Sequence, residues 1–267
     1  MTLVFEVADV HYAYNEVPAL NGLSLTIGHG ERIALLGANG SGKSTLLRLL
    51  DALCFSEQGE IRAFGEPLTE ERMHDAKTAL AFRRRVGLVF QNPDVQLFNP
   101  TVFDEIAFGP LQLGWAKADI RTAVDQAARE FRIDHLKDRS PNRLSGGEKK
   151  RVTLASVLVI NPDVLLLDEP TAALDPKSVS ETVDFLVSCR GSGRTVVTAT
   201  HDLAIIEDIA DRCFVLQAGQ VVASGTPAEI LADEELLHRT HLAHSHRHRH
   251  GDGTVHSHHH LHDLHEH

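Results

Sequence analysis

The stretch Gly37-Ala38-Asn39-Gly40-Ser41-Gly42-Lys43-Ser44 follows the spacing G-x-x-x-x-G-K-[ST], which suits the binding of phosphate. Glycines let the backbone turn several N–H groups inward as an anion nest. A helix beginning there adds the positive end of its dipole. Lys43 offers an ammonium to β- and γ-phosphates, and Ser44 offers a hydroxyl to Mg²⁺. Thr45 completes this candidate set. Further along, Val164-Leu165-Leu166-Leu167 runs into Asp168-Glu169. Asp168 suits Mg²⁺, directly or through water, and Glu169 suits the polarising of an attacking water. An apolar run ending in two acids is common, so this pair gains meaning only beside the loop. Ser145-Gly146-Gly147 is a second candidate phosphate-binding helix start, with Ser145 as the cap.

Each of these residues needs an element to hold it. Arg32–Leu36 is a short apolar run suited to a buried parallel strand, and Thr45–Leu50 suits the helix after the loop. Val86–Phe90 reads as another buried strand and delivers Gln91 at its C-terminal end. Thr195–Thr200 does the same for His201. In open α/β sheets ligands bind at that end. Leu3–Val10 and Leu23–Ile27 alternate as hairpin-like antiparallel strands with Tyr14 between them. Tyr14 reads either as a base-stacking aromatic or, more simply, as a turn residue. Gly59–Phe64 is a further strand. Glu70–Arg85 reads as one polar helix, its Arg83-Arg84-Arg85 end a solvated face. From Asn92 to Pro141 the chain reads as loop-rich, punctuated by Pro93, Pro100 and Pro110. One helix, Lys117–Phe131, carries Ile120, Val124, Ala127, Ala128 and Phe131 on a single side, a helical insertion in an α/β core. A helix through about Val159 follows Ser145, and Ser178–Cys189 is helical. Phe214–Leu216 and Val221–Ala223 flank Gly219 as a hairpin, and Pro227–Leu237 is a helical end.

The bulk numbers narrow the class. A chain of 267 residues can bury a large core. No apolar run has the length of a membrane span, and no basic-then-apolar leader is visible at the N-terminus. Three scattered cysteines, Cys54, Cys189 and Cys213, argue for free thiols rather than a disulfide framework or a structural zinc. A net charge of −11 argues against nucleic acid as a partner.

Leu144-Ser145-Gly146-Gly147-Glu148, together with the phosphate loop, resembles the signature of the ATP-binding subunits of ABC transporters, and the likeness covers residues 3 to about 235. It implies an α/β fold: a phosphate-loop NTPase core of ABC ATPase type with an N-terminal antiparallel β subdomain. A helical subdomain at about 92–160 falls within an ATPase domain of 1–237. The resemblance implies that Tyr14 stacks on the adenine of ATP. Gln91 matches the residue that reaches Mg²⁺ and water. Asp168 and Glu169 match the paired acids, with Glu169 as base, and His201 matches the histidine near the γ-phosphate. Ala172-Ala173-Leu174-Asp175 resembles the family's D-loop, with Ala172 where serine is more usual, which weakens any role for a hydroxyl there. Two such chains, identical or paralogous, would close head-to-tail with each ATP between Lys43 of one and Ser145 of the other. A transmembrane coupling subunit and a substrate-binding membrane subunit would complete a transporter, with this chain peripheral on the cytoplasmic face of the cell membrane. Val86-Gly87-Leu88-Val89-Phe90-Gln91-Asn92-Pro93-Asp94, with Gln96-Leu97-Phe98 and Thr101–Gly109, is similar to ATPases of energy-coupling-factor importers of vitamins, cobalt and nickel.

After Arg239 the composition changes abruptly. His244, His246, His248 and His250 precede Gly251-Asp252-Gly253, and His256, His258, His259 and His260 follow. With few apolar residues, this tail from 238 to 267 is expected to be disordered. Imidazoles with a pKa of about 6.5 are largely neutral at pH 7 and suit Ni²⁺ or Co²⁺, though the affinity order favours Cu²⁺. The sequence therefore favours an importer of nickel or cobalt. A vitamin importer and a soluble ABC ATPase with a metal-buffering tail remain the alternatives.

Overall fold

The computed structural model describes residues 2–242 together with the strands Ser245–Arg249 and Val255–His259. Its first two strands, β1 (Leu3–Tyr14) and β2 (Val17–Gly28), form a longer hairpin than the alternation predicts and place Tyr14 at the end of β1. The extra length follows from register shifts that re-phase the pairing after Val7, and from Asn15 and Glu16 at the turn, both with φ above zero. Next come β3 (Arg32–Leu36), α1 (Lys43–Leu50), β4 (Gln58–Ala63) and the short β5 (Glu66–Pro67).

The single helix expected over 70–85 is two helices, α2 (Glu70–His74) and α3 (Ala76–Arg85). Asp75 breaks them: its backbone is extended and its carboxylate accepts from Thr78 N–H at 2.9 Å, capping α3. The arginine triplet is not simply solvated either. Arg85 pairs with Asp163 at 2.7 Å and its guanidinium lies over the Phe64 ring at 3.4 Å.

After β6 (Val86–Val89) comes α4 (Val102–Gln112), a helix where loop was expected, with Pro110 inside it. Thr101 caps its start at Asp104 N–H, and Val102, Ile106 and Pro110, four apart, are all buried. Burial of that stripe offsets the missing donor of Pro110. α5 (Lys117–Glu130) buries the side predicted for it, and α6 (Gly146–Leu158) opens on a full capping box between Ser145 and Glu148. The remaining elements are β7 (Val164–Asp168), α7 (Pro176–Ser188), β8 (Thr195–Thr200), α8 (Ile206–Ile209), β9 (Arg212–Gln217), β10 (Gln220–Gly225), α9 (Pro227–Ala232) and α10 (Glu234–Arg239). The β9–β10 hairpin is the one the sequence predicts.

Two sheets carry the fold. One has the order β2-β1-β4-β5 and is antiparallel throughout. The other has the order β10-β9-β3-β8-β7-β6 and is parallel except for β10. β3 alternates between two cores. Ala34 and Leu36 join the core built with α4, α5 and α6, whereas Ile33 and Leu35 face α1 and the antiparallel sheet. No helix among the described residues is long and apolar enough to cross a membrane, and all three cysteines are free.

In the tail, β11 (Ser245–Arg249) and β12 (Val255–His259) pair antiparallel, opposing His246 to His258 and His248 to His256. His244, His250 and His260 lie outside the described residues.

Arg32, at the entry to β3, is 1% exposed. Its guanidinium donates to both oxygens of Asp211, at 2.6 and 3.1 Å, and to the Asp208 carbonyl at 2.9 Å. These bonds tie the central strand to the segment entering β9 and hold the Asp211 carboxyl below its ordinary pKa. Asp211→Ala leaves a buried guanidinium one carbonyl short of isolation and should destabilise the chain by about 3 kcal/mol in denaturant unfolding at pH 7. A carboxylate with a depressed pKa stabilises above its unfolded value near 3.9. The gap between wild type and Asp211→Ala should therefore close as pH falls through the folded pKa.

Candidate nucleotide site

Four neighbouring strands aim their C-terminal ends at one place. β3 leads into the phosphate loop and α1, β7 ends on Asp168, β8 delivers His201, and β6 delivers Gln91. A cavity of about 320 Å³ lies there, lined by residues 39–45 of the loop with Tyr14, Gln91 and Glu169. Tyr14 sits at its mouth, part-exposed, with its hydroxyl accepting from Arg48 at 3.1 Å and its ring edge-on to Tyr12.

The loop has the features of an anion cradle. Gly42, the cap of α1, has a φ of +108°, and a Cβ there would meet the Ala19 carbonyl and Leu20 at 2.8 Å. Gly37 and Ala38 turn their carbonyls toward Lys43, whose ammonium donates to both. Asn39 and Gly40 form the exposed tip. The Ser41 hydroxyl is buried with no hydrogen-bond partner, and Thr45, on α1, is also buried.

The chemistry-bearing side chains meet across this loop. Ser44 donates to Asp168 Oδ1 at 2.9 Å. Lys43 Nζ lies 3.6 Å from Glu169 Oε1, and His201 Nδ1 lies 3.0 Å from the same oxygen. Lys43 and Glu169 are both about 5% exposed, whereas His201 is open to solvent. Burial lowers the Lys43 pKa, opposed by the Glu169 and Asp168 charges. Burial raises that of Asp168, opposed by the Ser44 bond and assisted by the Glu169 charge. An orphaned hydroxyl, a cradle that excludes Cβ atoms and a buried ammonium all fit the phosphates of ATP, and the adjoining Ser44 and Asp168 oxygens fit Mg²⁺.

Ser145, Gly146, Gly147 and Asp175 do not line this cavity. Ser145 and Gly146 are exposed, and the Ser145 hydroxyl is engaged with Glu148. Asp175 caps α7 through Lys177 N–H, Ser178 N–H and the Ser178 hydroxyl, and these bonds hold its pKa low. Gly147 packs against that same Ser178. His246, His248, His256, His258 and His259 fall on β11 and β12. Among residues 2–242 no cluster of His, Cys, Asp and Glu has the geometry to hold a metal ion.

One neighbour escaped the sequence reading. Lys150 on α6 is 3% exposed, donates to the Phe90 carbonyl at 3.4 Å, and is pushed by burial down to about 8, opposed by Asp168. The signal was present: Gly147, Lys150 and Leu154 share one helical face, so the lysine stands in a buried stripe.

The two signature glycines differ in a testable way. A Cβ at Gly146 meets open space, whereas one at Gly147 would collide with the Ser178 hydroxyl. Gly146→Ala should leave thermal stability unchanged or slightly raised. Gly147→Ala should lower it by about 1–3 kcal/mol, and adding Ser178→Ala should recover part of that loss.

Comparison with known proteins agrees with the geometry. The model of the family described as ABC transporter matches residues 20–172. The nickel import ATP-binding protein NikO of Rhodobacter capsulatus is 58% identical over 91% of this chain and 96% of its own. An energy-coupling factor transporter ATP-binding protein, EcfA of Methanothermobacter thermautotrophicus, is 39% identical over 90% of this chain and 76% of its own. Among solved structures, cbiO1 from Clostridium perfringens, described as part of the ABC transporter complex cbiONQ, superposes with a TM-score of 0.76. It is 38% identical, covering 91% of this chain and 96% of that one. A dimeric post-hydrolysis structure of the ATP-binding cassette MJ0796 bound to ADP and Pi gives 0.75 at 26% identity, covering 84% of this chain and 98% of that one. With its phosphate loop, paired acids and signature helix in these places, the chain belongs to the ABC transporter family and is an ATPase of that family.

Proposed function

We propose that this chain hydrolyses ATP as one of two ATPase subunits of a membrane importer whose cargo is nickel or cobalt. The observation that carries the enzymatic part is the meeting of Lys43, Ser44, Asp168, Glu169 and His201 at one loop. Lys43 and the loop N–H groups would hold the β- and γ-phosphates, and Tyr14 would stack on the adenine. Ser44, Asp168 and Gln91 would hold Mg²⁺, which neutralises charge on the phosphate oxygens. Glu169 would accept the proton of the attacking water. His201, hydrogen-bonded to Glu169, would orient that carboxylate and offer its other face to the departing charge.

Ser145 and Gly146 lie exposed, away from the Lys43 cavity. We read this half-site as completed by a second chain, identical or paralogous, which would bring Ser145, Gly147 and Asp175 to the nucleotide held by its partner. The dimeric form of MJ0796 supports that reading. A transmembrane coupling subunit and a substrate-binding membrane subunit would dock near the Gln91 loop and hold the chain at the cytoplasmic face of the membrane. NikO, by its name, supports nickel as the cargo, and the His-rich tail supports a divalent metal of that group. The domain boundary would fall near 237, with residues 92–160 as the helical subdomain.

Glu169→Gln should reduce the ATP turnover number at least a hundredfold while nucleotide still binds, as the loss of a general base predicts. Undiminished turnover would remove Glu169 from that role. Cells carrying the assembled transporter should accumulate radioactive nickel or cobalt, and the Glu169→Gln cells should not. Uptake of a vitamin instead of either metal would assign the cargo to the vitamin class. Deleting the residues after Arg239 should weaken metal uptake at low external metal while leaving ATP turnover intact.

A further inference from the structure

Gln91 leaves the sheet at the end of β6, an edge strand with a neighbour on one side only. Side chains therefore hold its approach. The Phe90 N–H donates to Gln96 Oε1 at 3.0 Å, while Gln96 Nε2 donates to the Leu88 carbonyl at 3.2 Å. The Phe90 carbonyl accepts from Lys150 Nζ. Both backbone polar groups of the residue before Gln91 are thus fastened by side chains, one of them from α6. On the far side of Gln91, Asn92 caps the short turn Pro93–Val95, and Asp94 pairs with Lys149 Nζ at 2.6 Å. Two consecutive lysines of the helix that begins at Ser145 consequently grip the chain just before and just after Gln91.

We propose that Lys150 is a positioning residue for Gln91, setting the direction in which Gln91 enters the nucleotide cavity and tying it to the start of α6. Lys150 does not line that cavity. Its charge is buried, and an aliphatic side chain of similar volume would pack as well. Polar satisfaction of the Phe90 carbonyl is what the ammonium supplies there. Because the tether runs to α6, a tilt of that helix that moved Ser145 would carry Phe90 with it. Gln91 would then be aligned only when the signature residues are in one particular place. The inference rests on the reading of Gln91 as a ligand of Mg²⁺ and water.

The test is a double-mutant cycle on ATP hydrolysis by the full-length chain with Mg²⁺-ATP, using Lys150→Met and Gln91→Ala. Lys150→Met should lower kcat about tenfold, as misplacement of a group by a fraction of an ångström does, with KM changed less than twofold. In the Gln91→Ala background the same substitution should change kcat less than twofold. If the two losses simply multiply, or if Lys150→Met leaves kcat as it is, the inference is overturned while the role of Gln91 stands. If Gln91→Ala alone leaves kcat unchanged, the reading of Gln91 fails, and the inference with it. Should Lys150→Met not fold, Lys150→Leu, which likewise offers no donor to the Phe90 carbonyl, is read in the same cycle by the same criteria.

Discussion

A lysine ammonium buried in a pocket of oxygen atoms is the constraint on which the rest of this structure depends. Lys43 is 5% exposed, and its acceptors are the carbonyls of Gly37 and Ala38, with Glu169 at 3.6 Å. A cation removed from water is destabilising unless hydrogen-bond acceptors and opposite charge surround it. Here the loop supplies the acceptors and β7 supplies the charge. Phosphate oxygens are a richer source of both. A nucleotide entering the cradle would trade one set of partners for a stronger one, with the ammonium already desolvated and aimed.

That arrangement requires long-range agreement. Gly42 can cap α1 only because no Cβ stands between it and Ala19 and Leu20 of β2, so the antiparallel sheet must reach the loop. Asp168 must arrive from the far side of β8, the strand between β3 and β7. β3 secures both conditions by alternating its apolar residues between two cores, one toward α1 and the antiparallel sheet and one toward α4, α5 and α6. The Arg32–Asp211 fork then anchors the start of the same strand.

The strand ends that carry chemistry were legible in sequence because each couples an apolar run to an abrupt polar residue, as Val164–Asp168 does. Local polar competition was less legible. Asp75 splits a helix because its carboxylate prefers the Thr78 N–H to solvent, a choice between two conformations of similar energy. Pro110 suggested a loop, and only the buried stripe it shares with Val102 and Ile106 makes a helix the better outcome. Lys150 stood unmarked in the sequence. Its burial follows from its phase on α6 relative to Gly147 and Leu154, and that phase means something only once α6 is packed. Asp175 resembled the last residue of the D-loop, and the bonds it forms within its own chain are those of a helix cap.

One local distortion explains how two consecutive acids come to serve one loop. Along a regular strand, neighbouring side chains point to opposite faces, so Asp168 and Glu169 should diverge. Yet Asp168 bonds to Ser44, and Glu169 approaches Lys43, the residue next to Ser44. Glu169 has a φ of 43°, in the left-handed region that a non-glycine residue enters at a cost of about 1–3 kcal/mol. Its N–H is still held by the Ala199 carbonyl at 2.9 Å, so β8 keeps the backbone in register while the reversed dihedral breaks the alternation. The strain is thus stored where the two carboxylates must converge. It is sustained by a strand pairing that continues one residue past the point where the side chains would otherwise separate.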